Sequence, residues 1–587
     1  MEMSKTRETP MVEWNQLNWR KLERVVFKLQ KRIYKASQRG DVKTVRRLQK
    51  TLMRSWSAKC LAVRKVTQDN QGKRTAGVDG VKSLAPKQRQ ELVTKLRINR
   101  KAKPTRRVWI PKPGTKEKRP LGIPTMSNRA LQALVKLALE PEWEARFEPN
   151  SYGFRPGRSI HDAIGAIFSA ISKKANFVLD ADIAKCFDRI NHEALLEKLN
   201  TFPTLRRQVR AWLKAGVMDG NKLFPTEEGT PQGGVISPLL ANIALHGMEE
   251  QIRKVFPRKS YRVDGKKVSK RPPILIRYAD DFVVLHEDIE MVQKCQQVIQ
   301  TWLSNMGLEL KPFQTRLCHT LNEYGNEKPG FDFLGFSVRQ YPVGIHSTGR
   351  VVGIPLGFKT FIKPSSEKLK AHIEAIGKII DTHRTSTQKQ LIGNLTPVIQ
   401  GWANNYRAVV SKEAFSKVDD AMFHQLRAWA NRRHPNKDHT WVVSKYWLVD
   451  QGQGWVFAHR DEGKGETIRL TKHSETPIVR HAKVQGNRSP YDGDWIYWSS
   501  RMGKHPGTKK GVATLLKKQN GKCAHCGMYF KDGDKLEIDH KTPKSKGGKS
   551  NYDNLQILHR HCHDIKTVQD TVGTQELDKE WLDANPF

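Results

Sequence analysis

Two adjacent acidic residues, set between two apolar runs, leave few possible folds for the middle of this chain. Residues 274–285 read ILIRYADDFVVL, and each run has the length and aliphatic content of a buried β-strand. The pattern predicts a hairpin with Asp280 and Asp281 at its tip. Burying two carboxylates between such strands is costly unless a cation neutralises them. For an isolated Asp-Asp pair, an acidic turn that faces solvent would be the better interpretation.

A second strand-like run supplies a third acid. Residues 177–183 read FVLDADI, where Asp180 and Asp182 share one face of the predicted strand. Alternation alone therefore cannot choose between these two residues. Three carboxylates on two adjacent strands can hold two divalent cations ~3.5–4 Å apart, one at an attacking hydroxyl and one at a leaving oxygen. Nucleotidyl transfer requires such a site, because positioning and charge neutralisation supply most of its catalysis.

The two segments resemble the two catalytic motifs of reverse transcriptases. The matching residues are 182–188, which read DIAKCFD, and 278–281, which read YADD. The resemblance implies that two Mg²⁺ ions are bound by three catalytic residues, Asp182, Asp280 and Asp281. It also implies that Phe187 blocks a ribose 2′-hydroxyl and so favours deoxynucleoside triphosphates. Ordinary core packing is an equally good interpretation of Phe187.

A basic hairpin is predicted before these motifs and also matches reverse transcriptases. Residues 106–112 and 119–124 form its two arms, which are joined across a Pro-Gly pair. Lys112 and Arg119 are the candidates for contact with a nucleoside triphosphate, because cationic side chains recognise phosphate through charge-assisted hydrogen bonds.

Two further segments follow in the order that reverse transcriptases have. They are residues 151–159, which read SYGFRPGRS, and residues 229–234, which read GTPQGG. Gln232 and Gly233 are candidate substrate-binding residues, because glycine lets backbone approach a template or nucleotide closely before a helix that begins near Ser237. The resemblance implies a multidomain α+β fold: a right-hand polymerase with an antiparallel sheet in its fingers and palm and a helical thumb.

The charge of the chain indicates a polyanionic partner. Lysine and arginine number 103 against 59 aspartate and glutamate residues, which gives a formal charge of +44. The basic residues are spread along the whole chain and do not form one tail or one amphipathic helix. This distribution favours nucleic acid over a membrane-binding patch or a merely solvated surface. No apolar run approaches a membrane span, and the first residues lack the apolar core of a secretory signal.

The segment after the polymerase motifs distinguishes among reverse transcriptases. It has no convincing set of spaced acids for an RNase H. Basic helices follow instead, with IQGWANNY at 399–406 and FHQLRAWA at 423–430, and these resemble the thumb or maturase segment of group II intron-encoded proteins. That resemblance implies an intron RNA partner and a role in splicing. The same segment can be interpreted as a simple helical bundle with Trp402, Tyr406 and Trp429 in its core.

The last segment holds two short pairs of metal-ligand residues. Cys523 and Cys526 lie about thirty residues before His559 and Cys562, a spacing that suits a tetrahedral zinc site. We therefore expect a structural Zn²⁺ bound by three cysteines and one histidine. The cluster also indicates a reducing compartment, and the other four cysteines are scattered and are interpreted as small apolar residues.

A second polar set lies inside and beside these pairs, and a plain zinc ribbon would not need it. Residues 537–540, which read EIDH, and 551–554, which read NYDN, resemble an HNH nuclease, whose hairpin and helix surround one divalent ion. The resemblance implies that His540 is the general base and that Asp539 and Asn554 bind the metal. It also implies that His563 binds metal or phosphate. The chain departs from intron-encoded relatives at His559, where cysteine is usual, so retention of the metal stays open.

Periodic apolar residues predict the main helices and strands. Basic helices are expected over residues 17–61, and β-rich runs alternate with helical segments over residues 108–338. Ser365 can cap a helix, and helical patterning continues to Arg433. Residues 435–506 are irregular, basic and rich in tryptophan, whose rings either stack on exposed bases or pack in a core.

We expect five domains along the chain. They are a basic helical N-terminal extension at 1–85, reverse transcriptase fingers and palm at 86–345, a helical thumb or maturase segment at 346–435, a DNA-binding region at 436–510 and an HNH endonuclease at 511–587. Such a protein would bind a group II intron RNA, assist its splicing, nick target DNA and reverse transcribe the intron from the nick, in the cytoplasm of a bacterium or its organelle equivalent. Two alternatives stay open: an RNA-folding cofactor without catalysis, and a reverse transcriptase of another retroelement or defence system.

Overall fold

The computed structural model of this chain describes residues 13–111, 117–263, 266–450, 454–461, 466–503, 508–531 and 534–572. Lys112, a predicted triphosphate contact, lies outside these residues, as does the predicted Pro-Gly turn that follows it. None of the helices within these ranges combines the length with the hydropathy of a membrane-spanning segment.

Four helices form an N-terminal unit that packs against α5 of the next unit. They are α1 (Trp19–Gln38), α2 (Val42–Arg54), α3 (Trp56–Arg64) and α4 (Pro86–Lys95). The first two begin at polar caps: Asn18 accepts a hydrogen bond from the N–H of Lys21, and Asp41 accepts one from the N–H of Thr44. The helices predicted over residues 17–61 are thus confirmed.

The central unit mixes helices with short strands, as predicted. Its helices are α5 (Met126–Glu144), α6 (Ile160–Ile171), α7 (Cys186–Arg189), α8 (His192–Leu199), α9 (Pro203–Leu213), α10 (Ser237–Leu245), α11 (Met248–Val255) and α12 (Ile289–Ser304). Its strands are β1 (Thr105–Pro111), β2 (Lys118–Ile123), β3 (Phe177–Asp182), β4 (Val217–Asp219), β5 (Lys222–Phe224), β6 (Lys259–Val263), β7 (Lys266–Lys270), β8 (Ile274–Tyr278), β9 (Asp281–His286), β10 (Arg316–His319), β11 (Phe331–Phe333), β12 (Phe336–Pro342), β13 (Arg350–Val351), β14 (Ile354–Pro355) and β15 (Phe358–Pro364).

One four-stranded antiparallel sheet carries the acidic residues, with the strand order β10, β3, β9, β8. Strands β8 and β9 form the predicted hairpin, and their register places Tyr278 opposite Asp281. Leu275, Ile276 and residues 282–285 are buried in succession, so both faces of this hairpin are covered, as expected for strands that read as continuous apolar runs.

Two other sheets flank this one in sequence. The first has the order β2, β1, β4, β5, and the pairing of β1 with β2 confirms the predicted basic hairpin. The second has the order β11, β12, β15 and is antiparallel throughout. The small hairpin β13–β14 lies between β12 and β15 in the chain.

Three long helices follow the last of these strands: α13 (Ser366–Thr382), α14 (Gln388–Tyr406) and α15 (Lys412–Arg433). Ser365 caps α13 by accepting a hydrogen bond from the N–H of Lys368, and the predicted end at Arg433 is confirmed. Tyr406 and Trp429 are buried and Trp402 packs against the same cores, so these rings are structural.

The prediction that residues 435–506 are irregular is wrong in part. They contain α16 (His439–Tyr446), α17 (Trp495–Gly503) and a three-stranded antiparallel sheet of β16 (Trp447–Asp450), β17 (Gly454–Asp461) and β18 (Glu466–Arg469). Such short strands, with charged residues among the apolar ones, show no clear period. Trp447 and Trp498 are buried, whereas Trp455 is 52% exposed, so the tryptophans serve packing at some positions only.

The C-terminal unit is small and built around one hairpin. Its elements are α18 (Lys510–Lys518), β19 (Leu536–His540), β20 (Leu555–His559) and α19 (Arg560–Val572). The two strands pair antiparallel, with His540 opposite Leu555. A separate hydrophobic cluster that includes Leu515, Phe530 and Ile557 forms its core.

Two candidate active sites and a metal centre

Three carboxylates lie at one end of the four-stranded sheet. Asp182 ends β3 and pairs directly with Asp281, the first residue of β9. Asp280 occupies the turn just before it, in which Ala279 has a left-handed conformation with φ 59°. Residues 177–183 and 274–285 are therefore neighbours in the fold.

Asp180 shares the strand face of Asp182 but has a different environment. It pairs in register with Val283, and its carboxylate accepts a 3.2 Å hydrogen bond from Arg316 Nη2. Burial raises the pKa of Asp180 to about 6, and Arg316 opposes that rise. Register thus distinguishes Asp180 from Asp182, where strand alternation did not.

Burial and mutual repulsion make the three carboxylates hard to ionise. Burial, together with the charges of Asp280 and Asp182, raises the pKa of Asp281 to about 7. Burial and Asp280 also raise the pKa of Asp182. A group of oxygen donors whose charges repel one another fits hard divalent cations such as Mg²⁺, which relieve that repulsion when they bind.

Lys311 is a cation at this site that sequence reasoning missed. Its Nζ lies 3.6 Å from Asp182 Oδ2, and its backbone N–H donates to the Asp182 carbonyl at 2.9 Å. Its charge also opposes the rise in the pKa of Asp280 and Asp281. One lysine among 103 basic residues carries no sequence signal of its own.

The backbone of the predicted 151–159 segment holds the acidic turn, residues 278–281. The Tyr152 N–H donates to the Arg277 carbonyl at 2.9 Å. Gly153 lies so close to the turn that a Cβ on it would sit 2.3 Å from the backbone nitrogen of Ala279. A side chain at position 153 would therefore displace the turn.

Asn242 and Arg277 also support the acidic turn, through side-chain hydrogen bonds. Asn242 Nδ2 donates to the Gly153 carbonyl at 2.8 Å, and its Oδ1 accepts from Arg277 Nη1 at 3.1 Å. Arg277 Nη1 also donates to the Ala279 carbonyl at 3.0 Å, and the Arg277 side chain is fully buried. These contacts join three separate segments behind the carboxylates.

Two further predicted substrate contacts, Arg119 and Phe187, lie beside the segments that build this site. The charge of Arg119 opposes the rise in the pKa of Asp280 that burial causes. Phe187 packs edge-on against Phe154 with ring centroids 6.1 Å apart, and it is half-buried at the edge of the main core. Its position is compatible with both interpretations made from the sequence.

The close backbone approach expected of Gly233 is made to strand β2. Gly233 has φ 113°, and a Cβ on it would lie 2.9 Å from the carbonyl oxygen of Gly122. The carbonyl of Gln232 accepts a 2.6 Å hydrogen bond from the Gly122 N–H. Helix α10 then begins at Ser237, as predicted.

The four predicted zinc ligands come together in the C-terminal unit. Their ligand atoms all lie within 4.8 Å of one another, and all four side chains are buried: Cys523, Cys526, His559 and Cys562. His559 Nδ1 lies 3.3 Å from Cys526 Sγ, and His559 Nε2 lies 3.3 Å from Asp534 Oδ2. A carboxylate behind a ligating histidine orients its ring, so histidine fits as the fourth ligand of a tetrahedral Zn²⁺.

The predicted nuclease residues lie on the β19–β20 hairpin and the first turn of α19. His540 Nε2 lies 2.9 Å from Ser550 Oγ. His563 Nε2 lies 3.8 Å from Asp539 Oδ1. Lys566, one helical turn beyond His563, lies 3.2 Å from Asp539 Oδ2 and donates to the His540 carbonyl at 2.9 Å. This imidazole and carboxylate set can bind a divalent ion and accept a proton.

The side chain of Asn554 is engaged with the loop between the two strands. Its Oδ1 accepts from the Thr542 N–H at 2.9 Å, and its Nδ2 donates to the carbonyls of Thr542 and Lys549 at 3.0 and 2.9 Å. These three contacts close the loop that carries Ser550 next to His540. The geometry thus gives Asn554 a positioning role beside the metal-ligand role that the sequence predicted.

A partly buried cluster of charged and polar side chains joins the first and last units of the described chain. Arg64 Nη2 lies 3.2 Å from His561 Nδ1, and Arg64 Nη1 lies 3.6 Å from Glu23 Oε1. The guanidinium also stacks over Trp19, 4.7 Å from the ring centroid. Because His561 lies between the ligands His559 and Cys562, the N-terminal unit contacts the C-terminal unit directly beside the candidate zinc site.

Four family models match successive parts of the chain. They describe the N-terminal domain of reverse transcriptase at 14–96, reverse transcriptase (RNA-dependent DNA polymerase) at 110–338, the maturase-specific domain of group II introns at 369–447 and HNH endonuclease at 523–569. The acidic turn falls in the second match and the metal centre in the fourth.

Curated relatives match the central part of the chain. Protein YkfC of Escherichia coli (strain K12) is 32% identical over 308 residues, which cover 46% of this chain and 77% of YkfC. Group II intron-encoded protein LtrA of Lactococcus lactis subsp. cremoris is 30% identical over 324 residues, which cover 46% of this chain and 53% of LtrA. Maturase-like protein 1 of Euglena gracilis is 33% identical over 245 residues, which cover 39% of this chain and 51% of that relative. The chain thus spans about half the length of the last two.

Proposed function

This chain belongs to the family of group II intron-encoded reverse transcriptases, and from that premise we propose that it nicks a DNA target and copies its intron RNA from the nick. It carries a reverse transcriptase domain, a maturase-specific domain and an HNH endonuclease domain. The maturase-specific domain supports a second role, which is assistance in splicing the intron RNA. Under this proposal the chain has the five domains expected from its sequence, and its polymerase part is a right hand of fingers, palm and thumb.

The observation that carries the polymerase assignment is the pairing of Asp182 with Asp281, next to Asp280 in the turn. Two Mg²⁺ ions on these carboxylates would activate the primer 3′-hydroxyl and stabilise the leaving pyrophosphate. Lys311 keeps the Asp182 carboxylate in place. The acidic turn itself is held by the buried Arg277, so the carboxylates are positioned before substrate arrives.

The incoming deoxynucleoside triphosphate would lie between the acidic turn and strand β2. Arg119, with Lys112 on the same predicted hairpin, would bind its phosphates, since guanidinium and ammonium groups both donate to phosphate oxygens. Phe187 would exclude a ribose 2′-hydroxyl by its bulk. Gln232 and Gly233 would line this pocket where they pack against strand β2.

In the nuclease site, His540 would act as the general base. It would accept a proton from the water that attacks the scissile phosphorus, while the DNA 3′-oxygen leaves and is protonated. Asp539, Asn554 and His563 would hold the one divalent ion that this chemistry uses. The free 3′-hydroxyl made in this way is the primer end that a polymerase extends, so nicking and copying can follow at one target.

The partners follow from charge and domain content. Intron RNA would bind along the basic helices α13 to α15, and target DNA along residues 436–510. Both contacts would weaken steeply with salt, because phosphate binding by a chain of formal charge +44 releases condensed counterions. Work on intron RNA and chromosomal DNA, with reduced cysteines at the metal centre, fits the cytoplasm of a bacterium or its organelle equivalent.

Separate point variants test whether the two sites act independently. We expect Asp280→Ala to abolish extension of a DNA primer on an RNA template with Mg²⁺, while RNA binding and DNA nicking persist. His540→Ala should do the reverse. Retention of extension in Asp280→Ala would contradict the polymerase assignment, and loss of both activities in either variant would contradict two separate sites. A wild-type chain that binds RNA but extends no primer would be a splicing cofactor without catalysis.

A further inference from the structure

The outward face of strands β12 and β15 carries alternating cationic and aromatic side chains that neither active site uses. Residues on one face of a strand recur at every second position, and the register of these strands pairs 337 with 363, 339 with 361 and 341 with 359. We call this set the β12–β15 platform, and it consists of Ser337, Arg339, Tyr341, Lys359, Phe361 and Lys363.

The opposite face of the same strands is part of the hydrophobic core. Phe336, Val338 and Ile362 are buried in one cluster with residues of the four-stranded sheet. Because that face is covered, the platform faces away from the core. Its residues are correspondingly more accessible: Tyr341 and Phe361 are half-buried and Lys359 is exposed.

Contacts within the platform arrange rings and cations side by side. The ring centroids of Tyr341 and Phe361 lie 5.6 Å apart. The Arg339 guanidinium lies 4.9 Å from the Tyr341 centroid, and Lys363 Nζ lies 6.0 Å from the Phe361 centroid. Proteins that bind single-stranded nucleic acid combine these two elements, with aromatic rings that stack on bases and cations that contact the backbone.

The charge around the platform favours a polyanion. Residues 333–366 contain no aspartate or glutamate. Two acids approach its margins: Asp332 pairs in register with Ser337, and Glu413 forms a 3.1 Å ion pair with Lys363. Arg339 and Lys359 are the cations of the platform that would meet phosphates first.

We propose that the β12–β15 platform binds an unpaired stretch of RNA, with bases on Tyr341 and Phe361 and phosphates on Arg339 and Lys359. This inference rests on the proposed function, which gives the chain an RNA partner. RNA is favoured over DNA because β15 runs directly into α13, the first helix of the segment that matches the maturase-specific domain. Unpaired nucleotides are required, since bases inside a duplex have no free face for stacking.

Binding of a fluorescent 12-nucleotide oligo(U) RNA to the full chain tests the platform, measured by anisotropy at several KCl concentrations. We expect Tyr341→Ala and Phe361→Ala each to weaken binding about tenfold, whereas Tyr341→Phe keeps the ring and the affinity. Phe168→Ala is the matched control, because Phe168 is an exposed ring on α6, outside the surfaces assigned to RNA or DNA. Lys359→Gln, at an exposed position, should lower the slope of log affinity against log salt by about 0.7.

Three results would overturn the proposal. Unchanged oligo(U) affinity in the ring variants and an unchanged salt slope in Lys359→Gln would exclude the platform as a binding site. An equal loss of affinity for a 12-base-pair RNA duplex would show an electrostatic patch without stacking. An equal loss for oligo(dT) would remove the assignment to RNA. Primer extension by the wild-type chain tests the proposed function separately, so an active polymerase with unaffected platform variants would reject the platform alone.

Discussion

Replacing Gly153 by alanine should displace the acidic turn relative to the segment that supports it. The added Cβ would sit 2.3 Å from the backbone nitrogen of Ala279, whereas ordinary contacts begin at 3.4 Å. The neighbour is backbone and cannot rotate away, so the turn or the 151–159 segment has to move by about 1 Å. A misplacement of ~1 Å in a catalytic group costs about a hundredfold in rate. We therefore expect the rate of single-turnover primer extension to fall about a hundredfold.

Gly401→Ala provides the matched control for this substitution. Gly401 lies within α14, and a Cβ at that position meets no atom within 4 Å. This variant should extend primers as the wild type does and gain up to ~1 kcal/mol of stability from helix propensity. RNA affinity and DNA nicking should be unchanged in Gly153→Ala. If Gly153→Ala extends primers at more than about a third of the wild-type rate, the 151–159 segment does not position the carboxylates.

Three further outcomes follow from other sites. Burial raises the pKa of Glu249, in α11, from 4.5 to about 7, so its contribution to the free energy of unfolding is complete below pH 4.5 and is lost as pH rises through 7. The free energy of unfolding of Glu249→Gln should therefore rise relative to that of the wild type by up to ~3 kcal/mol between pH 5 and pH 8 in urea titrations, and a pH-independent difference would refute this. Cys562→Ser should lower bound zinc from one ion per chain to nearly none by mass spectrometry and abolish nicking, with primer extension intact. Asn554→Asp, which keeps the acceptor but loses both donated hydrogen bonds, should slow nicking about 10- to 100-fold without changing primer extension, and unimpaired nicking would mean that the loop needs no such support.

Local sequence patterns were sufficient to predict the site residues whose positions depend on nearby residues in the chain. Asp280 and Asp281 lie on a hairpin whose two arms are adjacent in the chain, so two apolar runs around a short turn were enough to predict it. The zinc ligands could be predicted because they form two closely spaced pairs, Cys523 with Cys526 and His559 with Cys562. Strand alternation could not separate Asp180 from Asp182, and only the resemblance to reverse transcriptases selected Asp182. The structural difference between them is the contact of Asp180 with Arg316, which lies 136 residues further along the chain.

Residues that act through a single long-range contact left no sequence signal. Asn242 supports Gly153 across 89 residues, and Lys311 approaches Asp182 from a separate loop. Asp534 and Lys566 belong to the same class, because one charged side chain in a basic chain is indistinguishable from a solvated one. The short strands within 435–506 were missed for a related reason: strands of four residues give too few positions for a period to emerge.

The contact between Arg64 and His561 joins residues that are 497 positions apart, so its two partners are synthesised at different times. A ribosome that adds ~5–20 residues per second delivers His561 roughly 25 to 100 s after Arg64. During that interval the N-terminal helices can fold while their docking partner is still unmade. The nuclease unit is therefore seated after the N-terminal helices have formed, so a nascent chain would bind nucleic acid before it is able to cleave it.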